Sequence, residues 1–578
     1  MLESVPGFGS LANGCPPLLR RCSRLVGAAL FAAILTACGG SDSDERRPDV
    51  PAPVDAPAAF KQQTLNWQVC AASTMEHEDD QKELAQLGAR AQCALMRVPL
   101  DYADPSSGEL QIELLKVAAA QPAQRLGAIV LNPGGPGEDG LSSALQTSMK
   151  LAEDEADETG GLLPQMARQY DLVGFSPRGM GRHSPLNCTL TQELERPTDF
   201  NADSSPDNVG KIQRYAQQLA QACAANPLSP HIHTEATARD MDLLRGLLNE
   251  EKLNYIGYSY GTWLGAWYAA LFPERTGRML FDSSADITSD FDALMQSQIP
   301  ASARHIDELL LPRAVSEPAR FGLGNDLAAL RQRLSALSAP LSAALALHWD
   351  FEEIDSDVHA ISAALGLQEL LASHPQASAA QLRAQIAQSP RFKSPQVAMH
   401  ADELVASLFS PRTFHAPGKE EFVYWSVRCN DTGTTGSAQD WAQRGRDALQ
   451  RYPLSEVGIV ENPCLYWHQA PRKMPAAALM RTSTPVLMLQ SEYDSLTPLE
   501  GARKTWEALP DARLIVVEKA HAHGVFPYGT ACVDSQVARY FLDGKVPSQS
   551  LGSCAGKAPV ADDDEDNEED EDDEDDEA

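Results

Sequence analysis

The stretch that decides the fold is residues 253–265, which read LNYIGYSYGTWLG. The run at 253–257 has the length and composition of a buried strand, and residues 261–270 continue as a helix. Between them Gly257-Tyr258-Ser259-Tyr260-Gly261 forms a G-x-S-x-G pattern, in which the glycines leave room for a serine in a strained turn. This context predicts that Ser259 is a nucleophile. The alternative is a tight turn with a purely structural role.

Short apolar strands alternate with helices on both sides of this turn. Strands are predicted at 128–131, 170–175, 279–282, 485–490 and 513–518, with a helix at 237–248. From about residue 287 to 473, helical periodicity replaces strand character. The predicted fold class is therefore α/β: a mostly parallel sheet flanked by helices, with a helical lid inserted before the last strands.

A serine nucleophile needs a base, and the base needs an acid that orients it. In α/β-hydrolases the chain order is serine, acid, histidine. Asp494 follows the strand at 485–490, at the strand end where such sheets carry catalytic groups, and Glu492 is its rival. After the strand at 513–518, His523 precedes a glycine at the start of a turn, and His521 competes with it for the same role.

Two backbone N–H groups are needed to stabilise the developing oxyanion. One belongs to Tyr260, the residue after the nucleophile. The other is expected from the loop at 132–137, where Gly134 and Gly135 let the backbone approach a substrate closely. A glycine-proline turn without a catalytic role is the alternative for this loop.

The first residues predict export. Three arginines precede an apolar run at 25–37 that is too short to span a bilayer and that ends in Leu-Thr-Ala before Cys38. This resembles a bacterial lipobox, so we expect residues 1–37 to be a signal peptide and Cys38 to be lipidated. A flexible tether at 38–62 would follow, and the protein would be lipid-anchored to a membrane facing the periplasm or exterior, in the cell envelope, or secreted.

Eight cysteines remain after the presequence and Cys38 are set aside, and an even number in an exported protein implies disulfides. Pairing of neighbours along the sequence closes the shortest loops. It joins Cys70 with Cys93, Cys188 with Cys223, Cys429 with Cys464, and Cys532 with Cys554. No Cys-x-x-Cys spacing suggests zinc, so neither a metal nor a cofactor is expected.

The chain has 578 residues and a formal net charge of −33, and fifteen of the sixteen residues from 562 to 577 are acidic. Such a tail, placed at 557–578, cannot bury apolar surface and should be disordered. The remaining acidity argues against a nucleic-acid partner. The expected core comprises 63–286 and 476–556, separated by the lid at 287–475.

These motifs resemble the tripeptidyl aminopeptidase and proline iminopeptidase family of α/β-hydrolase serine exopeptidases. The resemblance runs from about Trp67 to Cys554 and rests on segments 98–102, 132–137, 170–181, 234–248, 257–264, 484–498 and 523–532. It implies an α/β-hydrolase fold with Ser259 as nucleophile, Asp494 as acid and His523 as base, and the family's cysteine placement agrees with the pairing above. Ala522 stands where the family usually has a glycine.

The expected activity is release of N-terminal residues or tripeptides through an acyl-enzyme, with a peptide or small acyl compound carrying a free N-terminus as substrate. An esterase or another small-molecule acyl hydrolase with the same triad is the alternative, because the fold hosts many substrates. A carboxylate cluster in the cleft would favour peptides, whose ammonium group needs an anion when buried. Glu420, Glu421 and Asp431 are candidates, with no role assigned to any of them.

Overall fold

Ten strands in the described part of the chain form one sheet. They are β1 (Gln68–Val69), β2 (Ala91–Pro99), β3 (Glu109–Val117), β4 (Gly127–Asn132), β5 (Tyr170–Phe175), β6 (Leu253–Tyr258), β7 (Thr276–Asp282), β8 (Leu487–Ser491), β9 (Arg513–Glu518) and β10 (Leu551–Ala555). Their order across the sheet is β1-β2-β3-β5-β4-β6-β7-β8-β9-β10. Neighbours from β5 to β10 are parallel, whereas β1, β2 and β3 attach to one another and to β5 in antiparallel fashion.

The structure, a computed structural model, describes residues 55–152, 158–190, 195–351, 353–480, 482 and 484–557. The predicted signal peptide, Cys38, most of the tether and the acidic tail from residue 558 lie outside these residues. Within the described ranges, no helix has the length and apolar character needed to cross a membrane.

Helices cover both faces of the sheet and build the long segment between β7 and β8. Before that segment they are α1 (Ala58–Lys61), α2 (Glu78–Leu87), α3 (Gly140–Ala152), α4 (Leu162–Gln169), α5 (Pro206–Ala224), α6 (Thr234–Leu247) and α7 (Tyr260–Leu271). Within it they are α8 (Phe291–His305), α9 (Leu311–Ser316), α10 (Pro318–Phe321), α11 (Leu327–Ser335), α12 (Ala339–Ala346), α13 (Ile354–Ser373), α14 (Ala379–Gln388), α15 (Pro395–Phe409), α16 (Lys419–Asp431) and α17 (Ala438–Arg451). The last two are α18 (Leu499–Ala508) and α19 (Ala531–Asp543).

The central strands are buried on both faces because helices pack against each side. Every residue of β4 and β5 is buried, as expected for parallel strands in the middle of an α/β sheet. Side chains alternate between two cores: Val130 and Tyr255 point into one, while Ile129 and Ile256 point into the other. The fold class predicted from the sequence is thus confirmed.

We call residues 287–475 the helical insert. The helices α8–α17 lie in it, and its described residues contain no strand. Much of it packs around a hydrophobic core of its own, which includes Leu310, Leu341, Val358 and Leu404. These helices of the insert are therefore packed mainly against one another and not against the sheet.

Four disulfides join the eight cysteines in the neighbour-to-neighbour order that the sequence suggested. They are Cys70–Cys93, Cys188–Cys223, Cys429–Cys464 and Cys532–Cys554. The bond at Cys429 ties α16 of the helical insert to the turn at 463–466. Each closed loop restricts the unfolded chain and is worth about 2–4 kcal/mol of stability.

The tether ends earlier than the predicted boundary at residue 62. Residues 58–61 form α1, and the apolar Phe60 is buried in the core beside the sheet. Asp55 also pairs with Lys61 and with Arg275. The prediction of a flexible chain is wrong for residues 55–62, because the buried Phe60 and the ion pair between Asp55 and Arg275 hold this segment against the fold.

The start of α3 packs directly on β5, and the contact leaves no space for a side chain at Gly174. A Cβ atom there would lie 1.9 Å from the carbonyl oxygen of Gly140. We predict that Gly174→Ala lowers the free energy of unfolding by about 1–3 kcal/mol or more, because two backbones must separate. Denaturant unfolding with the disulfides intact measures this loss.

Gly246→Ala is the matched control, since a Cβ atom at this position of α6 meets nothing within 4 Å. It should raise stability by up to about 1 kcal/mol through helix propensity. Equal effects of the two substitutions would contradict the packing explanation.

Candidate active site

Ser259 lies at the sharp turn between β6 and α7. Its backbone angles are φ 54° and ψ −124°, a conformation that costs a residue with a side chain free energy. The turn is held by its backbone N–H, which donates to the carbonyl oxygen of Asp282 at 3.0 Å, and by Thr262 Oγ1, which donates to the Ser259 carbonyl at 2.7 Å. The strained residue is thereby fixed at the carboxyl edge of the sheet.

The flanking glycines are required by close backbone contact. A Cβ atom at Gly257 would lie 2.5 Å from the Gly261 carbonyl oxygen, and one at Gly261 would lie 2.6 Å from that of Asn132. No side chain fits at either position unless the backbone shifts. The two glycines of the G-x-S-x-G pattern are therefore required by the geometry of this turn.

Asp494 and His523 meet at the same edge of the sheet. The Nδ1 atom of His523 lies 3.1 and 3.0 Å from the two carboxylate oxygens of Asp494. Asp494 is fully buried, and it also accepts hydrogen bonds from Thr497 Oγ1 at 2.9 Å and Gln490 Nε2 at 3.2 Å. These contacts fix the carboxylate so that it can orient the imidazole.

The two rival residues lie elsewhere. Glu492 accepts a hydrogen bond from the backbone N–H of Lys519 at 2.7 Å. The ring of His521 stacks edge-on against His305 at 5.6 Å between centroids. The structure therefore brings Asp494 and His523 together and leaves Glu492 and His521 outside this contact.

The loop after β4 lies against the Ser259 turn, as the oxyanion prediction requires. A Cβ atom at Gly134 would be 2.9 Å from Ser259 Cβ and 3.4 Å from the nitrogen of Tyr260. Gly134 and Gly135 have φ values of 122° and 97°, which glycine adopts readily. Tyr260 begins α7, so its N–H lacks a partner within the helix and is available to an anion. Together these groups can form an oxyanion hole.

Asp282 is a site residue that the sequence reasoning missed. It ends β7, and its buried carboxylate accepts hydrogen bonds from the N–H groups of Val525 and Phe526 at 2.9 and 2.6 Å. Next to it, Ser283 Oγ accepts from the N–H of Gly524 at 2.8 Å. Burial raises the pKa of Asp282 to about 7, against the lowering effect of these hydrogen bonds. Its position at a strand's carboxyl end was the only signal in the sequence.

Ser259 and His523 line one cavity of about 590 Å³, which also contains Glu138. A second cavity of about 920 Å³ adjoins it on the side of the helical insert and shares Glu138 and Glu420 as lining residues. Two further carboxylates, Glu421 and Glu461, line the second cavity. Glu76, Glu113 and Glu456 also line the two cavities, so seven glutamates surround the space next to Ser259 and His523.

Two of these glutamates are incompletely paired. Glu421 accepts one hydrogen bond, from the Tyr215 hydroxyl at 3.2 Å, and its Oε2 lies 3.7 Å from Nδ1 of the exposed His415. Oε2 of Glu421 and Oε1 of Glu461 are buried without a hydrogen-bond partner among the described residues. Burial, reinforced by repulsion from Glu421, raises the pKa of Glu461 to about 8. Burial also raises the pKa of Glu421 and of Glu138. A cation in this space would favour the charged forms of these carboxyl groups.

Asp431, the other acidic residue near the insert's return to the core, has a different role. Its carboxylate accepts hydrogen bonds from both the N–H and the Oγ1 of Thr234 at the start of α6. Both oxygens are thus used to join α16 to α6, which is a structural function.

The protonation of His523 is set by opposing effects. Burial disfavours the charged imidazolium, but the attraction of Asp494, together with that of Asp282 and Glu138, outweighs it, and the net effect raises the pKa of His523. We predict that Glu138→Gln lowers this pKa, because it removes one of the anions that stabilise the imidazolium. Titration by NMR of histidine-labelled protein measures the shift, with the signal assigned by its loss in His523→Gln.

Glu109→Gln is the control for this titration, since Glu109 is exposed and pairs with Arg97. It should leave the pKa of His523 unchanged. An unchanged value in Glu138→Gln as well would show that Glu138 exerts no field on the imidazole.

Comparison with known proteins agrees with this arrangement. Residues 452–554, which include Asp494 and His523, match the family model described as TAP-like protein. The chain is 28% identical over 515 residues to the tripeptidyl aminopeptidase of Streptomyces lividans, covering 86% of this chain and 87% of that protein.

Two other relatives match as well. Serine protease Hip1 of Mycobacterium tuberculosis is 30% identical over 233 residues, which cover 39% of this chain and 41% of that protein. A protein named carboxylesterase B, also of Mycobacterium tuberculosis, is 28% identical over 476 residues and covers 80% of this chain and 86% of its own length. These findings identify the chain as a serine hydrolase of the peptidase type that is similar to tripeptidyl aminopeptidases over most of its length.

Proposed function

We propose that this serine hydrolase is an aminopeptidase that releases N-terminal residues or short N-terminal peptides. The observation that carries the proposal is the group of glutamates, Glu138, Glu420, Glu421 and Glu461, lining the space next to Ser259 and His523. An acyl ester without an amino group would gain nothing from these charges.

The proposed reaction uses the residues that meet at the sheet edge. Ser259 Oγ attacks the scissile carbonyl while His523 takes its proton, and Asp494 orients the imidazole through Nδ1. The negative charge that forms on the carbonyl oxygen is stabilised by the N–H groups of Tyr260 and the Gly134–Gly135 loop. His523 then protonates the leaving amine, and water hydrolyses the acyl-enzyme by the same proton transfers.

The incompletely paired carboxylates of Glu421 and Glu461 are suited to the substrate's α-ammonium group. Leaving a buried anion without a partner is costly, and Glu421 and Glu461 additionally repel each other. An ammonium group brings a positive charge and three N–H donors, so it relieves the repulsion and supplies the missing hydrogen bonds. The free N-terminus would then lie in the second cavity and the scissile bond at Ser259, so the length of this space sets how many residues are released.

We also propose that the protein is exported and anchored through lipid on Cys38. The Leu-Thr-Ala-Cys sequence supports this, and so do four disulfides, which persist in oxidising compartments.

The anchor is tested with Cys38→Ala and metabolic labelling with palmitate. We expect the wild-type protein to take up label and sediment with membranes, and the variant to do neither. Membrane association that survives in the unlabelled variant would refute the lipid anchor without affecting the enzymatic proposal.

The enzymatic proposal is tested with chromogenic peptides that carry free or acetylated N-termini, beside acyl esters. Wild-type protein should prefer the free N-terminus, and Ser259→Ala should lose more than about 10⁴-fold in kcat. Glu421→Gln and Glu461→Gln should each reduce kcat/KM for free peptides by about 10- to 100-fold, the worth of a charged hydrogen bond, and leave acetylated peptides unaffected.

Glu456→Gln is the matched control: Glu456 lines the same cavity but is half exposed and paired with Arg412. It should leave the preference for free N-termini intact. Activity retained by Ser259→Ala would refute the triad. A preference for esters or acetylated peptides would refute the aminopeptidase while leaving the triad standing.

A further inference from the structure

A second group of convergent side chains lies in the helical insert, outside the two cavities that surround Ser259. His348 follows the end of α12, and His400 and Glu403 lie three residues apart on one face of α15. One donor atom from each of the three lies within 4.8 Å of the other two. We propose that His348, His400 and Glu403 bind a zinc ion.

The distances between the donor atoms approach those around tetrahedral zinc. Glu403 Oε2 lies 3.4 Å from His348 Nε2 and 3.5 Å from His400 Nδ1, and the two nitrogens are 2.8 Å apart. Ligands at the usual zinc bond lengths of about 2.0–2.1 Å lie about 3.3–3.4 Å from one another. Two of the three separations fit directly, and a shift of about half an ångström in one ring accommodates the third.

The three donors are more simply explained by a cation than by mutual hydrogen bonds. Two neutral imidazoles share one N–H···N bond, which leaves the Glu403 oxygen beyond normal hydrogen-bond distance from both nitrogens. An ion between them would accept electron pairs from all three atoms. Two nitrogens and one oxygen make up a set that zinc uses with a fourth position left to water.

The surroundings of His400 also suit a metal ligand. Its other ring nitrogen, Nε2, lies 3.2 Å from Ser356 Oγ on α13. A ligating histidine commonly donates its second N–H to such an oxygen, which fixes the tautomer and the ring orientation. His348 and His400 are 15% and 8% exposed and Glu403 is 50% exposed, so the rings are shielded while an ion can enter beside the carboxylate.

A bound ion would join the end of α12 to α15 and, through Ser356, to α13. These helices build the separate core of the insert. Since zinc would bind the folded form and not the unfolded chain, it should stabilise this part of the protein by linkage. The predicted role is structural, which distinguishes it from the chemistry at Ser259.

The test uses the purified full chain, treated with a chelator and then titrated with zinc chloride. We expect one zinc per chain at micromolar concentrations, a rise in melting temperature on saturation, and an X-ray absorption spectrum with N/O ligands at about 2.0–2.1 Å. Calcium and magnesium, which prefer all-oxygen sites, should not compete.

Two variants locate the site. His348→Ala should abolish binding and the thermal shift, and Glu403→Gln, which keeps the side chain's shape at a half-exposed position, should weaken binding at least 10-fold. His374→Ala, at the exposed histidine that follows α13, is the matched control and should bind zinc as the wild type does.

Two results would overturn the proposal. One is a wild-type protein that binds no stoichiometric zinc. In that case the contact between His348 and His400 is a simple hydrogen bond. The other is equal zinc affinity in the wild type and in Glu403→Gln, which decides the matter even if His348→Ala fails to fold.

Discussion

The strained backbone at Ser259 is the constraint on which the arrangement of this protein depends. A residue with a side chain is held at φ 54° between a buried strand and a buried helix, and neighbouring backbones approach so closely that only glycine fits at 257 and 261. Dense packing offsets the free-energy cost of this backbone conformation, because every residue of α7 is buried. The same turn places Ser259 directly before the first residue of α7, whose N–H has no acceptor within the helix.

The parallel sheet brings the other reactive groups to this turn. Strands that run in the same direction end at one edge, so residues far apart in sequence, such as Asp282 and Asp494, lie at the same edge of the sheet as Ser259. Asp282 holds the backbone of the loop that carries His523, and Asp494 holds its ring. The helical insert adds Glu421 and Glu461, each with one buried carboxylate oxygen that accepts no hydrogen bond from the described residues. The edge of the sheet therefore carries the proposed reactive groups, while residues of the helical insert line the cavity next to them.

The zinc proposal and the sequence expectation of no metal differ for a physical reason. Metal sites are recognised in sequence when ligands stand at short, regular spacings, and His348 is more than fifty residues from Glu403. Only the packing of the helix ends brings their donor atoms together. The carboxylate pair at Glu421 and Glu461 is similar, since each residue alone resembles an ordinary surface glutamate and only burial makes it unusual.

The sequence by itself determined the central strands and the turn at Ser259, and it predicted the order of nucleophile, acid and base, because each depends on local patterns of apolar, glycine and polar residues. It also suggested the pairing of cysteines, since neighbouring pairs close the shortest loops. It could not choose between His521 and His523 by any contact, identify Asp282, or show that Phe60 anchors the supposed tether. Those features were decided by the tertiary structure, because hydrogen bonds, burial and charge separation act between residues that only folding makes neighbours.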